Sequence, residues 1–305
     1  MLTPQQLEQR LDFITGSDIG AILGLNEYKT PVQVWLEKTR QEVAIDISDK
    51  PAVKAGNRLE EAVAQWFAAE TGKEVIKDDR FFIHKNLPYL GGNIDRLVVG
   101  EDALLECKTT QSDRGWGAGY SEGDNKIPDN YLCQVIHYCA IADVQVAYVA
   151  VLIRGIDFRW FKYERDLALE AQIAERCTMF WFNHVQPKVA PQPTTADEVT
   201  TLLRGKVSDE AIQVTHEIEV ALGELKCVRD DLETLKDQEK NLKDIICTYM
   251  KDRQTLVNTD GTIAVTWKQR EGSTRFDGKA FKENHPDLYQ EYVTRGDFVR
   301  TFLIK

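Results

Sequence analysis

The segment from Gly91 to Lys108 constrains the fold more than any other part of the chain. It reads Gly-Gly-Asn-Ile-Asp95-Arg-Leu-Val-Val-Gly-Glu-Asp-Ala-Leu-Leu-Glu106-Cys-Lys, a pattern of two short strands joined by a tight turn. Side chains alternate between the faces of a strand. Glu106 and Lys108 therefore share one face, and Leu105 and Cys107 the other. Asp95 points away from Ile94 and lies on the face of Leu97, so burial there is mixed. If the strands pair, two carboxylates and an ammonium gather on a polar patch of a largely apolar sheet. A hard divalent cation suits such a patch, because it takes oxygen ligands and keeps several waters. The same three residues also fit a solvated face with cross-strand ion pairs, and the segment alone leaves both readings open.

The chain has 305 residues, enough for one large domain or two and for a sizeable core. No apolar run approaches the length of a membrane span. Met1 to Gln6 has no basic region leading into an apolar core, so secretion is not expected. The six cysteines contain no C-x-x-C pair and no zinc or iron–sulfur spacing, and several sit in apolar runs, as buried free thiols do. A reducing cytoplasm fits them best. A net charge of −11 argues against indiscriminate binding to nucleic acid. It remains compatible with a nuclease that confines its basic residues to a channel, because a metal-binding carboxylate cluster is itself acidic.

Along the chain, residues 1–25 read as helix, turn, helix, with Thr15 or Ser17 able to cap the second helix. Another helix follows Pro31. Residues 52–71 form a strong helix with Leu59, Val63, Trp66 and Phe67 on one face. Glu60 lies on the edge of that face, where a carboxylate needs a partner. Strands are expected near 74–84, 89–99 and 102–110. A glycine-rich loop spans 112–126, a helix 129–143, a hairpin 145–164 and a helix 166–184. Three prolines between Pro187 and Thr195 mark a linker. Beyond it, apolar residues from Ile218 to Tyr249 recur at three- and four-residue steps, interrupted by Glu239, which is heptad spacing on a highly charged helix. A strand from Val265 to Arg270, a short helix near Lys279–Asn284 and a terminal strand near Val299–Ile304 complete the reading. The expected organisation is a core over 1–186, a linker over 187–205 and an accessory region over 206–305 built from a helical hairpin and a small β element.

Several features converge on one chemistry. Asp95, Glu106 and Lys108 form the strand-borne cluster. Glu60 adds a carboxylate from an earlier helix. Gln134 and Tyr138 stand one turn apart on a later one, and Arg10 and Ser17 offer a cation and a hydroxyl near the N-terminus. In order and spacing these pieces resemble the YqaJ-like viral recombinases, relatives of the lambda-type alkaline exonucleases in the PD-(D/E)XK nuclease superfamily. The resemblance runs over roughly residues 10–185. It is carried by Ile14-Thr-Gly-Ser17-Asp-Ile-Gly, Gly56-Asn-Arg-Leu-Glu60, Asn93-Ile-Asp95, Glu106-Cys-Lys108 and Gln134-Val-Ile-His-Tyr138. Asn-Ile before the aspartate departs from the Ser/Pro pair common in the family.

The resemblance implies an α/β fold, a restriction-endonuclease-like core with a mixed central sheet flanked by helices. It implies that Mg²⁺, with Mn²⁺ able to substitute, is held by Asp95, Glu106 and the main-chain carbonyl of Cys107, with help from Glu60. Lys108 would orient and deprotonate the attacking water, Gln134 would position the water or Lys108, and Arg10 and Ser17 would hold a 5′-phosphate. The activity implied is 5′-to-3′ digestion of linear double-stranded DNA, leaving 3′ overhangs for strand annealing. A single-strand annealing protein as partner, a trimeric ring and a phage or prophage origin in a bacterial cytoplasm would follow. Plainer roles stand beside these: Arg10 as a surface residue, Ser17 as a helix cap, Gln134 as a buried amide and Tyr138 as core. Trp116 and Tyr120 in the glycine-rich loop are candidates for stacking on unpaired bases, against incidental loop aromatics. Rival functions are a related endonuclease, a nuclease like those of CRISPR adaptation, whose usual iron–sulfur cysteines are absent here, and a non-catalytic DNA-end-binding assembly protein.

Overall fold

The structure, a computed structural model, describes residues 4–41, 50–204, 206–294 and 300–304. The chain divides into two compact units, Met1–Leu203 and Arg204–Lys305.

The first unit opens with α1 (Pro4–Arg10), α2 (Gly16–Ile22) and α3 (Pro31–Lys38). Thr15 precedes α2, and the Asp18 carboxylate folds back to accept its N–H and its hydroxyl, both at 2.9 Å. Thr30 and Gln33 form a reciprocal cap at α3, with Pro31 in the first turn. Next comes α4 (Pro51–Thr71), closed by Gly72 in the left-handed conformation. Five short or medium strands follow: β1 (Val75–Lys77), β2 (Phe82–Ile83), β3 (Gly91–Gly92), β4 (Arg96–Val98) and β5 (Ala103–Thr110). Then come α5 (Asp129–Ala142), β6 (Val146–Ile153), β7 (Asp157–Glu164), α6 (Leu167–Phe180) and α7 (Ala196–Leu202).

The main sheet has the order β1-β4-β5-β6-β7. Only β5 and β6 are parallel; the other neighbours are antiparallel. A parallel pair needs a crossover, and α5 supplies it. β6 reads Val-Ala-Tyr-Val-Ala-Val-Leu-Ile without a charge because both its faces are covered. Val149, Val151 and Ile153 pack with Leu104 into the layer that contains α2, α3, α5 and α6. Tyr148, Ala150 and Leu152 pack with Leu105 against Val63 and Phe67 of α4. This is the expected α/β core with a mixed sheet between helical layers. The strand parity read from the sequence holds as well: Leu104 fixes the α5 side of β5, and Glu106 and Lys108 fall on that side.

Some expectations need correction. Trp66 is not part of the inward face of α4. It stands at the rim, 39% exposed, and stacks on Phe158 at 4.9 Å. The segment expected as a linker contains α7, whose buried Glu198 accepts the Thr30 hydroxyl at the α3 cap. The helical hairpin expected beyond residue 206 does not form among the described residues. One continuous 35-residue helix, α8 (His216–Met250), takes its place. It carries no proline, and the Glu239 that interrupts its apolar series pairs with Lys243 one turn on at 2.6 Å. The second unit continues with the antiparallel strands β8 (Thr255–Val257) and β9 (Ile263–Thr266), then α9 (Gly278–Asn284) and α10 (Pro286–Tyr292). The β9 strand ends before the expected Arg270. Of the expected terminal strand, Val299 lies outside the described residues and Arg300–Ile304 belong to no strand.

Candidate active site

The register of β4 and β5 places the strand-borne carboxylates. Arg96 pairs with Leu105, so Asp95, one place outside the ladder, falls opposite Glu106. Its Oδ2 accepts the Cys107 N–H at 2.8 Å. On β5, Glu106 is 3% exposed. Its Oε1 accepts Lys108 Nζ at 2.6 Å and Gln134 Nε2 at 2.9 Å. Gln134 closes the triangle by accepting from Lys108 at 3.1 Å, and its amide also donates to the Tyr138 hydroxyl at 2.8 Å. The Lys108 ammonium lies 5.2 Å from the centre of the Tyr131 ring. The parity of β5 and the one-turn spacing on α5 thus meet in one buried network. Gly16 permits the approach of α2 to α5: a Cβ there would stand 2.5 Å from the Tyr138 ring.

The electrostatics of this network are unbalanced. Burial first, and then the charge of Glu106, push the Asp95 carboxyl well above the usual carboxylate range, against the pull of Lys108. Burial, the largest single influence, would lower Lys108, but Glu106, Tyr138 and Asp95 together outweigh it and hold the ammonium charged. Burial raises the Tyr138 phenol too, with Glu106 adding to it. The second Glu106 oxygen, Oε2, is buried with no hydrogen-bond partner. A buried anionic oxygen without a donor is costly. Together with Asp95 beside it, this hard-oxygen pair fits a divalent cation.

Glu60 is engaged by a buried arginine. Among the described residues no three His, Cys, Asp or Glu side chains come together in a way that could hold one metal ion. Glu60 instead accepts from Arg96 Nη1 at 2.8 Å, while Arg96 Nη2 reaches Glu61 at 2.8 Å and Nη1 also bonds the Asp95 carbonyl at 2.6 Å. Arg96 is 4% exposed, and a buried guanidinium requires anionic partners. Sequence reasoning missed it, although the two adjacent glutamates on α4 were a signal that a cation faces them. Glu60 still lines the same cleft and adds its charge to Asp95.

That cleft has a volume of about 260 Å³. Arg10, Ser17, Glu60, Asp95, Glu106 and Gln134 all line it. At its N-terminal side Arg10 Nη2 donates to Ser17 Oγ at 2.7 Å and to Thr15 Oγ1 at 3.2 Å. Behind them lies a charge cluster that the sequence reading passed over. Asp18, 1% exposed, pairs with Lys38 at 2.6 Å and Lys29 at 2.9 Å, and Lys38 also donates to the Arg10 carbonyl at 2.8 Å. Neither loop aromatic lines the cleft. Trp116 is a core residue, 8% exposed between Tyr131 and Phe161, so its ring has no free face for a base. Tyr120 is exposed but packs on Trp160 at 4.6 Å.

Comparison with known proteins identifies the family. Residues 5–145 match the YqaJ-like viral recombinase domain. The chain is 33% identical over 313 residues to the uncharacterized protein YqaJ of Bacillus subtilis (strain 168), covering 100% of this chain and 95% of that one. Among solved structures, an alkaline exonuclease from Laribacter hongkongensis superposes with a TM-score of 0.49 at 19% identity, over 61% of this chain and 94% of that one. A phage-related exonuclease from Haemophilus somnus 129PT gives 0.41 at 14% identity, over 55% and 91%. Extending over the full length of the chain, the likeness to the Bacillus protein settles the family: this chain belongs to the YqaJ-like viral recombinases.

Proposed function

We propose that the chain is a Mg²⁺-dependent exonuclease that digests linear double-stranded DNA from 5′ ends and leaves 3′ overhangs for strand annealing. The observation that carries this reading is the pairing, in one cleft, of an under-compensated carboxylate pair with an Arg10–Ser17 anion site. Asp95, Glu106 and the Cys107 carbonyl would hold the ion, with Glu60 available at the wall of the cleft once it exchanges Arg96 for the metal. When bound, the ion lowers the pKa of its water and neutralises charge on the attacked phosphate.

The remaining roles fall to the chain itself. Lys108 is fixed by Glu106 and Gln134, two residues that line the cleft, and from there its ammonium would serve a water and a phosphate oxygen. Held charged by Glu106, it serves as a donor to the developing negative charge. The proton-accepting role implied by the family resemblance requires that Glu106's charge be engaged elsewhere. Gln134 fixes the direction of both partners, since its amide oxygen faces the ammonium and its NH₂ faces the carboxylate. Arg10 presents a fork suited to phosphate oxygens, and the Ser17 hydroxyl it touches adds a further hydrogen-bonding group. A terminal phosphate seated there would set the direction of cutting. A single-strand annealing protein, a trimeric ring around the duplex, and action in a bacterial cytoplasm from a phage or prophage gene belong to the same proposal. No helix among the described residues is long and apolar enough to cross a membrane.

The test is digestion of 5′-phosphorylated and 5′-hydroxyl linear duplexes, with closed circular DNA alongside. The proposal expects the phosphorylated end to be preferred, the preference to vanish in Arg10→Ala, and the circle to survive. Cutting of the circle at the linear rate would make the enzyme an endonuclease. No digestion of any substrate would leave an end-binding protein.

A further inference from the structure

We propose that α8 is a parallel, in-register coiled-coil seam whose occupant is another copy of this chain, as a ring of copies also allows. The seam is continuous over five heptads. Ile218, Leu225, Leu232, Glu239 and Ile246 repeat every seven residues. Ala221, Val228, Leu235, Leu242 and Tyr249 repeat every seven residues, three places later. This alternation of three- and four-residue steps is the spacing that lets two helices supercoil with their apolar stripes in contact. In the structure the stripe is uncovered at its centre: Leu232 is 50%, Leu235 58% and Leu242 61% exposed. A contiguous apolar stripe of this length on one helix is the mark of an interaction surface.

The charges that flank the stripe identify the occupant and its direction. Along the middle of the helix one flank carries Glu224, Asp231 and Gln238 and the other Arg229, Lys236 and Lys243, with Leu222 and Met250 ending the second flank and Glu217 and Ile245 the first. In a parallel pair each residue of the first flank meets, on the second copy, the residue five places further on. Glu224 would meet Arg229, Asp231 would meet Lys236, and Gln238 would meet Lys243. An antiparallel pair would bring each flank against itself, acid on acid and base on base. Opposite charges at these flanking positions choose partner and orientation. The sequence of α8 is thus complementary to itself in one orientation alone. Glu239 sits in the seam, paired with Lys243 of its own helix. A polar seam residue costs association strength and pins the register. The contact lies wholly within the second unit and does not depend on the nuclease reading.

The experiment uses the full chain with Cys227→Ser and Cys247→Ser, both positions lying off the seam. Leu242→Cys in this background should form an intermolecular disulfide on mild oxidation, because residue 242 meets itself only in the parallel register. Asp237→Cys, on the opposite face of the helix, should not. A mixture of Leu225→Cys chains with Leu242→Cys chains carrying a size tag should give no mixed disulfide. Leu232→Glu with Leu235→Glu should weaken self-association at least tenfold in sedimentation equilibrium, with the helical circular dichroism of the chain retained. A mixed 225–242 disulfide in place of the 242–242 one would mean an antiparallel pair and overturn the proposal. So would equal crosslinking from residue 237, or association indifferent to the glutamate pair.

Discussion

The two units of this chain are unsatisfied in opposite ways. In the first, polar groups are buried beyond what their neighbours compensate: Glu106 Oε2 has no donor, and Asp95 is held above its usual range by burial and by Glu106. In the second, apolar groups are exposed beyond what their own unit covers, along the stripe of α8. A buried carboxylate oxygen without a donor and an uncovered apolar seam both cost free energy in isolation. On the two proposals above, each is the imprint of something that binds: a cation in one case, a helix in the other. The contrast also explains why the units read so differently as sequence. Function in the first is written in a few scattered polar residues, whereas in the second it is written in a period.

The largest expected effect tests the polar side of the comparison. Lys108→Ala removes the counter-charge of Glu106 and the donor proposed for the developing negative charge, so digestion of linear duplex with Mg²⁺ should fall by roughly 10²- to 10³-fold. A loss below about tenfold in the folded variant would remove Lys108 from the chemistry. Next, the apolar sides of the two units can be set against each other. Leu105→Ala, fully buried between β4 and α4, should lower stability by about 2–5 kcal/mol. Leu235→Ala on α8 should change the stability of the single chain by no more than about 0.5 kcal/mol and weaken self-association instead. Equal losses of single-chain stability would mean that the stripe is covered within its own chain.

A smaller effect concerns the histidine beneath the site. His137 is fully buried, donates from Nε2 to the Gly91 carbonyl at 3.1 Å, and is pushed down from 6.5 to about 4 by burial. Between those two values the unfolded chain binds a proton that the folded chain refuses. The contribution of His137 is therefore complete above about pH 6.5 and is lost as the pH falls towards 4, amounting to about 3 kcal/mol. Denaturant titrations at several pH values should show that slope, and His137→Gln should flatten it. Smaller still is Gly16→Ala. The new methyl would press on the Tyr138 ring, which carries the hydroxyl bonded to Gln134. A stability loss of about 1–3 kcal/mol is expected, with activity falling further than stability alone explains.

Much of the first unit was legible in the sequence because its signals are local. Alternation on β5 placed Glu106 and Lys108 together, and the spacing of Gln134 and Tyr138 on one helix face brought both to them. Arg10 and Ser17 were legible as neighbours for the same reason, lying either side of one turn. What the sequence concealed was long-range pairing. Arg96 pairs with Glu60 across 36 residues of chain, and no local pattern announces it. Lys38, which anchors the Arg10 carbonyl, looks on its helix like any other charged residue. Trp116 sits in a glycine-rich loop and still reaches the core, because Tyr131 and Phe161 offer it two faces. The period of α8 was visible, and Glu239 does not break the helix but pairs with Lys243 on its surface.

The claim on which the account turns is that Asp95 and Glu106 hold a divalent cation. Calorimetric titration of the apo chain with Mn²⁺ tests it without DNA or activity. The account predicts saturable binding in the wild type, lost in Asp95→Asn and in Glu106→Gln and retained in Arg10→Ala. Absence of binding in the wild type, or binding unchanged by both carboxylate substitutions, would contradict it.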